Sequence, residues 1–116
     1  GFQIAQNMLQ AHPDITIIFG QADGLAMGAA KAVQVAGLAD KITIGGYDGD
    51  GAALQSLVAC DTPFVVTATQ STQAMGVLAV NSAIAVANGA SVPARQIPNA
   101  VLTTCADAAK FVEKHP

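Results

Sequence analysis

A chain of 116 residues supplies one ordinary domain and not two. With 52% apolar residues wholesale disorder is excluded, yet only 11% are charged, against about 25% in an average soluble domain, so part of the surface faces something other than water. The five Lys and Arg are scattered under a net charge of −3, which excludes a nucleic-acid groove built on clustered positive charge.

In chain order, Phe2, Ala5, Met8 and Leu9 mark one helical face that closes before Pro13. Ile15 to Phe19 is a short β-branched run, read as a buried strand. Asp23 stands where an N-cap belongs, and Leu25, Ala29, Ala32, Val33 and Ala36 recur at helical spacing up to the stop at Gly37. Ile42 to Tyr47 is the second strand, and Leu54, Leu57 and Val58 mark a short crossover helix. Phe64 to Thr69 is the third strand, rich in Val and Thr. A long helix runs from about Thr72 to Asn88, ended by Gly89. Val101 to Thr104 is a last short strand, and Thr104 to Asp107 resembles a capping box opening a terminal helix with Phe111 and Val112. Strands separated by helices imply βαβ units, hence an α/β fold: a parallel sheet with flanking helices.

No run approaches the ~20 apolar residues of a membrane span. The longest, Met75 to Ala87, is interrupted by Asn81 and Ser82. Its apolar residues, among them Met75, Leu78, Val80 and Ile84, surround the helix axis, the pattern of a helix buried on more than one side. The chain opens on Gly1-Phe2 without an initiating Met, and it reads as a piece of a longer one. Cys60 and Cys105 match no zinc or redox spacing. Inert half-buried thiols are the simpler reading, and pairing stays open for an oxidising compartment.

Ligands of open parallel sheets bind beyond the carboxyl ends of the strands. That rule selects Gln21 and Asp23, then Tyr47, Asp48 and Asp50, then Gln70. A carboxylate accepts from two vicinal hydroxyls, a carboxamide donates and accepts, and an aromatic ring packs on the C–H face of a sugar, so the set suits a polyhydroxylated ligand. Acidic and amide residues are also common in such loops as plain caps. The glycine-rich stretch Gly45 to Gly51 is no phosphate cradle, because it lacks Lys-Ser/Thr and carries acidic residues. It is no calcium loop either, since Ala52 stands where a third acid belongs. A glycine-permitted tight turn is the simpler account. His12 and His115 have no metal partner at helical spacing, no G-x-S-x-G elbow is present, and no acid–base pair stands out. No catalytic residue, metal or cofactor is expected.

Three blocks in order, AQNMLQAHPDITIIFGQADGLAMGAAKAVQVAG, ITIGGYDGD and VVTATQSTQAMG, resemble the latter part of ribose-type periplasmic sugar-binding proteins of ABC transporters, which are type I periplasmic binding proteins. The resemblance implies two lobes closing on a sugar across a hinge, with this chain as the carboxyl-terminal portion. Residues 1–70 are then the carboxyl-terminal lobe, 71–99 a hinge crossing that packs with the amino-terminal lobe, and 100–116 a return strand and terminal helix. It implies that Asp48 binds sugar hydroxyls, that Gln70 lies at the hinge edge of the cleft, and that Tyr47 fills an aromatic position. The family usually has Asn-Asp where this chain has Ala22-Asp23, which puts ribose itself in doubt and leaves a related sugar or polyol. Asp23 is left chiefly as a helix cap, with sugar contact as the lesser alternative. The implied partners are the sugar or polyol, the permease and the amino-terminal lobe, not nucleic acid. The implied location is the periplasm, or a lipid-anchored extracellular site in an organism without one. A LacI-type regulator's sensor domain shares the fold and is the second reading.

Overall fold

Short strands separated by helices build the order α1 (Phe2–Ala11), β1 (Ile17–Phe19), α2 (Asp23–Val35), β2 (Thr43–Asp48), α3 (Gly51–Ala59), β3 (Phe64–Thr69), α4 (Thr72–Ala87), β4 (Val101–Thr104) and α5 (Ala109–Val112). These come from a computed structural model, which describes residues 1–112. Two compact units divide the chain, one of Gly1–Thr69 with the segment from Leu102 onward, the other of Gln70–Val101.

The sheet has the order β1-β2-β3-β4. β1 runs parallel to β2 with Phe19 opposite Gly45, and β2 runs parallel to β3 with Asp48 opposite Thr69. The β2–β3 register shifts after Ile44, which pairs with Phe64 while Gly45 pairs with Val66. Ile18, Ile44 and Phe64 point to one face and form a core with Ala26, Ala29, Ala30 and Val33 of α2 and Ala53 and Leu57 of α3. The alanines let α2 lie close to the sheet. Strand alternation sends Ile17, Phe19 and Tyr47 to the opposite face, where they are 72%, 63% and 36% exposed.

Element edges differ from the sequence expectation where local hydrogen bonds take the backbone. β1 begins at Ile17 rather than Ile15, because the Ile15 amide donates to the His12 carbonyl in a turn. β2 begins at Thr43 rather than Ile42, whose amide donates to Leu38 at the end of the α2 connection. At the end of the chain the Thr104 hydroxyl donates to the Asp107 carboxylate, but the backbone first forms turns and becomes helical only at Ala109. Lys110, 2.6 Å from Asp107, holds that carboxyl below the usual carboxylate range, helped by Thr104.

Cys60 and Cys105 are joined in a disulfide, with Cα atoms 5.6 Å apart. This corrects the expectation of inert thiols: Cys60, left-handed at the end of α3, is brought beside the residue that follows β4, a proximity between positions 45 apart that spacing alone does not reveal.

In the second unit, the Ser71 hydroxyl caps α4 by accepting from the Ala74 amide at 3.1 Å. Gly89, with φ +82°, follows the end of the helix, and Gln96 donates to the Ser82 hydroxyl. None of the residues of α4 is buried; Val77, Val80, Ile84 and Val86 are all exposed. No helix of the described residues is long and apolar enough to cross a membrane.

Candidate ligand-binding site

Parallel pairing brings the carboxyl ends of β1, β2 and β3 to one edge of the first unit. Gln21 stands there exposed, two residues past β1. Tyr47 and Asp48 end β2, with the ring exposed and the carboxylate residue half-buried. Asp50, also exposed, precedes α3. Gln70 follows β3 directly and is the first residue of the second unit, half-buried there.

The backbone at Asp48 is unusual. Its φ is 121°, in a region that a residue with a Cβ rarely enters, at a cost of about 1–3 kcal/mol. Gly49 follows at φ +79°, where only glycine fits: a Cβ there would lie 2.5 Å from Thr69 Cγ2. The chain therefore turns sharply off β2 and leads into α3.

The Asp23 carboxylate lies beneath this turn. It was expected chiefly to cap α2, with sugar contact as the lesser alternative, and its environment corrects the first of these. The N-cap of α2 is Ala22, with no side-chain cap bond, and Asp23 is 0% exposed. Its Oδ2 accepts from the amides of Gly49 at 2.8 Å and Asp50 at 2.9 Å, and its Oδ1 accepts from the Thr67 hydroxyl at 2.6 Å. Three donors from distant segments hold the side chain inward, so it caps no amide of the first turn of α2. None of these three partners is a cation; charge-assisted hydrogen bonds satisfy the buried group. Nearby, the Thr69 and Thr103 hydroxyls share a bond of 2.7 Å. No buried side-chain nitrogen or oxygen among the described residues lacks a partner.

Residues 1–91 match the model of the periplasmic binding protein domain. The chain belongs to the periplasmic binding protein family. This periplasmic binding protein chain is 35% identical over 97 residues to the ribose import binding protein RbsB of Escherichia coli K12, covering 82% of this chain and 31% of that one. The ribose import binding protein of Bacillus subtilis 168 is 34% identical over 92 residues, 79% of this chain and 29% of its own length. Among solved structures it is similar to an ABC transporter solute-binding protein of Mycobacterium smegmatis with bound glycerol, at TM-score 0.84 and 31% identity, over 96% of this chain and 38% of that one. A periplasmic solute-binding protein of Actinobacillus succinogenes 130z with bound D-allose gives TM-score 0.83 and 27% identity, over 95% and 38%. The periplasmic binding protein chain thus spans well under half the length of these relatives.

Sequence reasoning missed the residues that support the site in this periplasmic binding protein chain. Thr67 reads as an ordinary strand threonine, and its bond to Asp23 crosses 44 positions. A signal for Gly46 was present, since glycine inside a strand marks close backbone approach, and here the Asp23 Oδ1 occupies the place of a Cβ. Among the described residues no group of three or more His, Cys, Asp or Glu stands ready to hold a metal. His115 lies outside the described residues.

Proposed function

We propose that this chain is part of the substrate-binding component of an ABC transporter, which reversibly binds a small sugar or sugar alcohol between two lobes and delivers it to a membrane permease. The observation that carries this reading is Asp48 on its strained turn at the carboxyl edge of the sheet, preceded in β2 by the exposed Tyr47. The relatives named above support it: two are ribose import binding proteins, and two are solute-binding proteins with bound D-allose or glycerol.

In this reading Asp48 accepts hydrogen bonds from two adjacent hydroxyls, the Tyr47 ring covers a C–H face, and Gln21 adds a donor and an acceptor. Gln70 is assigned a further contact from the family resemblance alone, and α4 is assigned to packing with the amino-terminal lobe on the same ground. Lobe closure removes water and strengthens each of these bonds, and no covalent step is involved. The Cys60–Cys105 disulfide suits an oxidising compartment, which supports the periplasm as the place of work. Ala22, where the family usually has asparagine, leaves the particular sugar to be found among pentoses, hexoses and polyols.

Titration calorimetry of the full-length chain with D-ribose, D-allose and glycerol tests the reading. Binding of at least one is expected, and Asp48→Ala should weaken it by about 1.5–3 kcal/mol, roughly ten- to a hundred-fold. Unchanged affinity in that variant refutes the Asp48 assignment. No heat with any sugar or polyol in a wider panel refutes the function.

A further inference from the structure

We infer that Asp23 is a positioning residue for the ligand site: its buried carboxylate, oriented by Thr67, clamps the Gly49–Asp50 backbone and so fixes the direction of the Asp48 side chain. The inference rests on the reading of Asp48 as the sugar-binding carboxylate.

Four observations converge. Asp48 holds a φ of 121°, which a side-chain-bearing residue abandons unless its surroundings fix it. The two amides immediately after it both donate to one oxygen of Asp23, at 2.8 and 2.9 Å, so the turn cannot rotate without breaking charge-assisted bonds to a buried carboxylate. The other oxygen is held by Thr67 at 2.6 Å, from the middle of β3, which fixes the carboxylate plane to the sheet. Gly46 leaves the space that Asp23 Oδ1 occupies, so β2 itself is shaped around the clamp.

The consequence is a preorganised ligand group. The backbone that carries the sugar-binding carboxylate is already held before the sugar arrives, which lowers the cost of ordering it on binding. The two carboxylates have separate tasks in this reading: Asp48 is the ligand group, and Asp23 accepts from the backbone that carries it. Aspartate is suited to the second task because one oxygen takes two successive amides while the other takes a hydroxyl. Asparagine keeps a carbonyl oxygen for the amides and turns its NH2 toward the threonine oxygen.

The test uses the full-length chain with Asp23→Ala, Asp23→Asn and Thr67→Val. D-ribose and D-allose affinities are measured by calorimetry well below each variant's melting temperature, and amide hydrogen exchange is followed at Gly49 and Asp50. Asp23→Ala should speed exchange at both amides and weaken sugar binding by about ten- to a hundred-fold, the equivalent of one or two lost charge-assisted bonds. Asp23→Asn should restore slow exchange and most of the affinity. A folded Asp23→Ala protein with loosened amides and wild-type affinity overturns the inference, and so does Asp23→Asn behaving no better than Asp23→Ala. Should Asp23→Ala fail to fold, Thr67→Val decides: faster exchange with weaker binding supports the clamp, whereas wild-type exchange or wild-type affinity overturns it. A wild-type protein that binds neither sugar nor glycerol counts against the proposed function, while exchange at the two amides still judges whether Asp23 holds the turn.

Discussion

At Gly46 the backbone of β2 passes so close to α2 that an added Cβ would overlap Asp23 Oδ1, lie 2.9 Å from the Phe64 ring and sit 3.2 Å from the Ala26 methyl. Gly46→Ala must push the carboxylate off its donors or part β2 from α2, and it should destabilise the full-length chain by about 1–3 kcal/mol. At neighbouring Gly45, on the other face, the nearest atom is Val66 Cγ1 at 3.2 Å and the next two stand at 3.7 and 3.8 Å. Gly45→Ala should therefore cost less. Urea denaturation of the two variants checks this, and equal destabilisation would remove the packing argument. At this scale the sequence was only half legible. Asp48 was selected by its place at the carboxyl end of the second strand and by the family resemblance of the block around it. The work of Asp23 was hidden, because its three donors lie 26, 27 and 44 positions away and nothing local distinguishes it from a helix cap.

Between elements, the disulfide ties the end of α3 to the segment after β4, across a separation of 45 positions. Closing a loop of that length removes unfolded-state entropy worth about 4 kcal/mol in the chain-entropy model, and native disulfides commonly contribute about 2–4 kcal/mol. Cys105→Ser in the full-length chain should lower the thermal midpoint accordingly, and reducing agent should have the same effect on wild type and none on the variant. Equal melting of all samples would show that the bridge adds no stability. The elements themselves were readable, since β1, β3 and β4 are rich in β-branched residues and Gly37 and Gly89 sit just past the ends of α2 and α4. Their edges were less so. Whether Ile15 or Ile42 joins a strand depends on which carbonyl its amide finds, and each finds one in a preceding turn.

Across the whole molecule, the charge deficit takes a physical form in Ile17 and Phe19 on the open sheet face and in α4, whose apolar side chains have no buried member. Composition announced that such surface existed, and the all-round pattern of α4 pointed to one part of it. Composition could not point to the sheet face, because strand alternation makes sense only once it is known which face the helices cover. Gln70–Val101 forms its own unit, entered after Thr69 and left before Leu102, and the cysteines bracket that excursion on either side. Arg95, exposed, is the only basic residue between Cys60 and Cys105. Hydrolysis of the chain after Arg95 by trypsin therefore does not part the two ends it creates. On a denaturing gel without thiol, a protein cut at that bond alone should migrate as one molecule, and only reduction should release two. Separation without thiol would mean that the cysteines are not joined. A wound in the backbone of this excursion is thus carried silently, the severed arm still moored to the body it left.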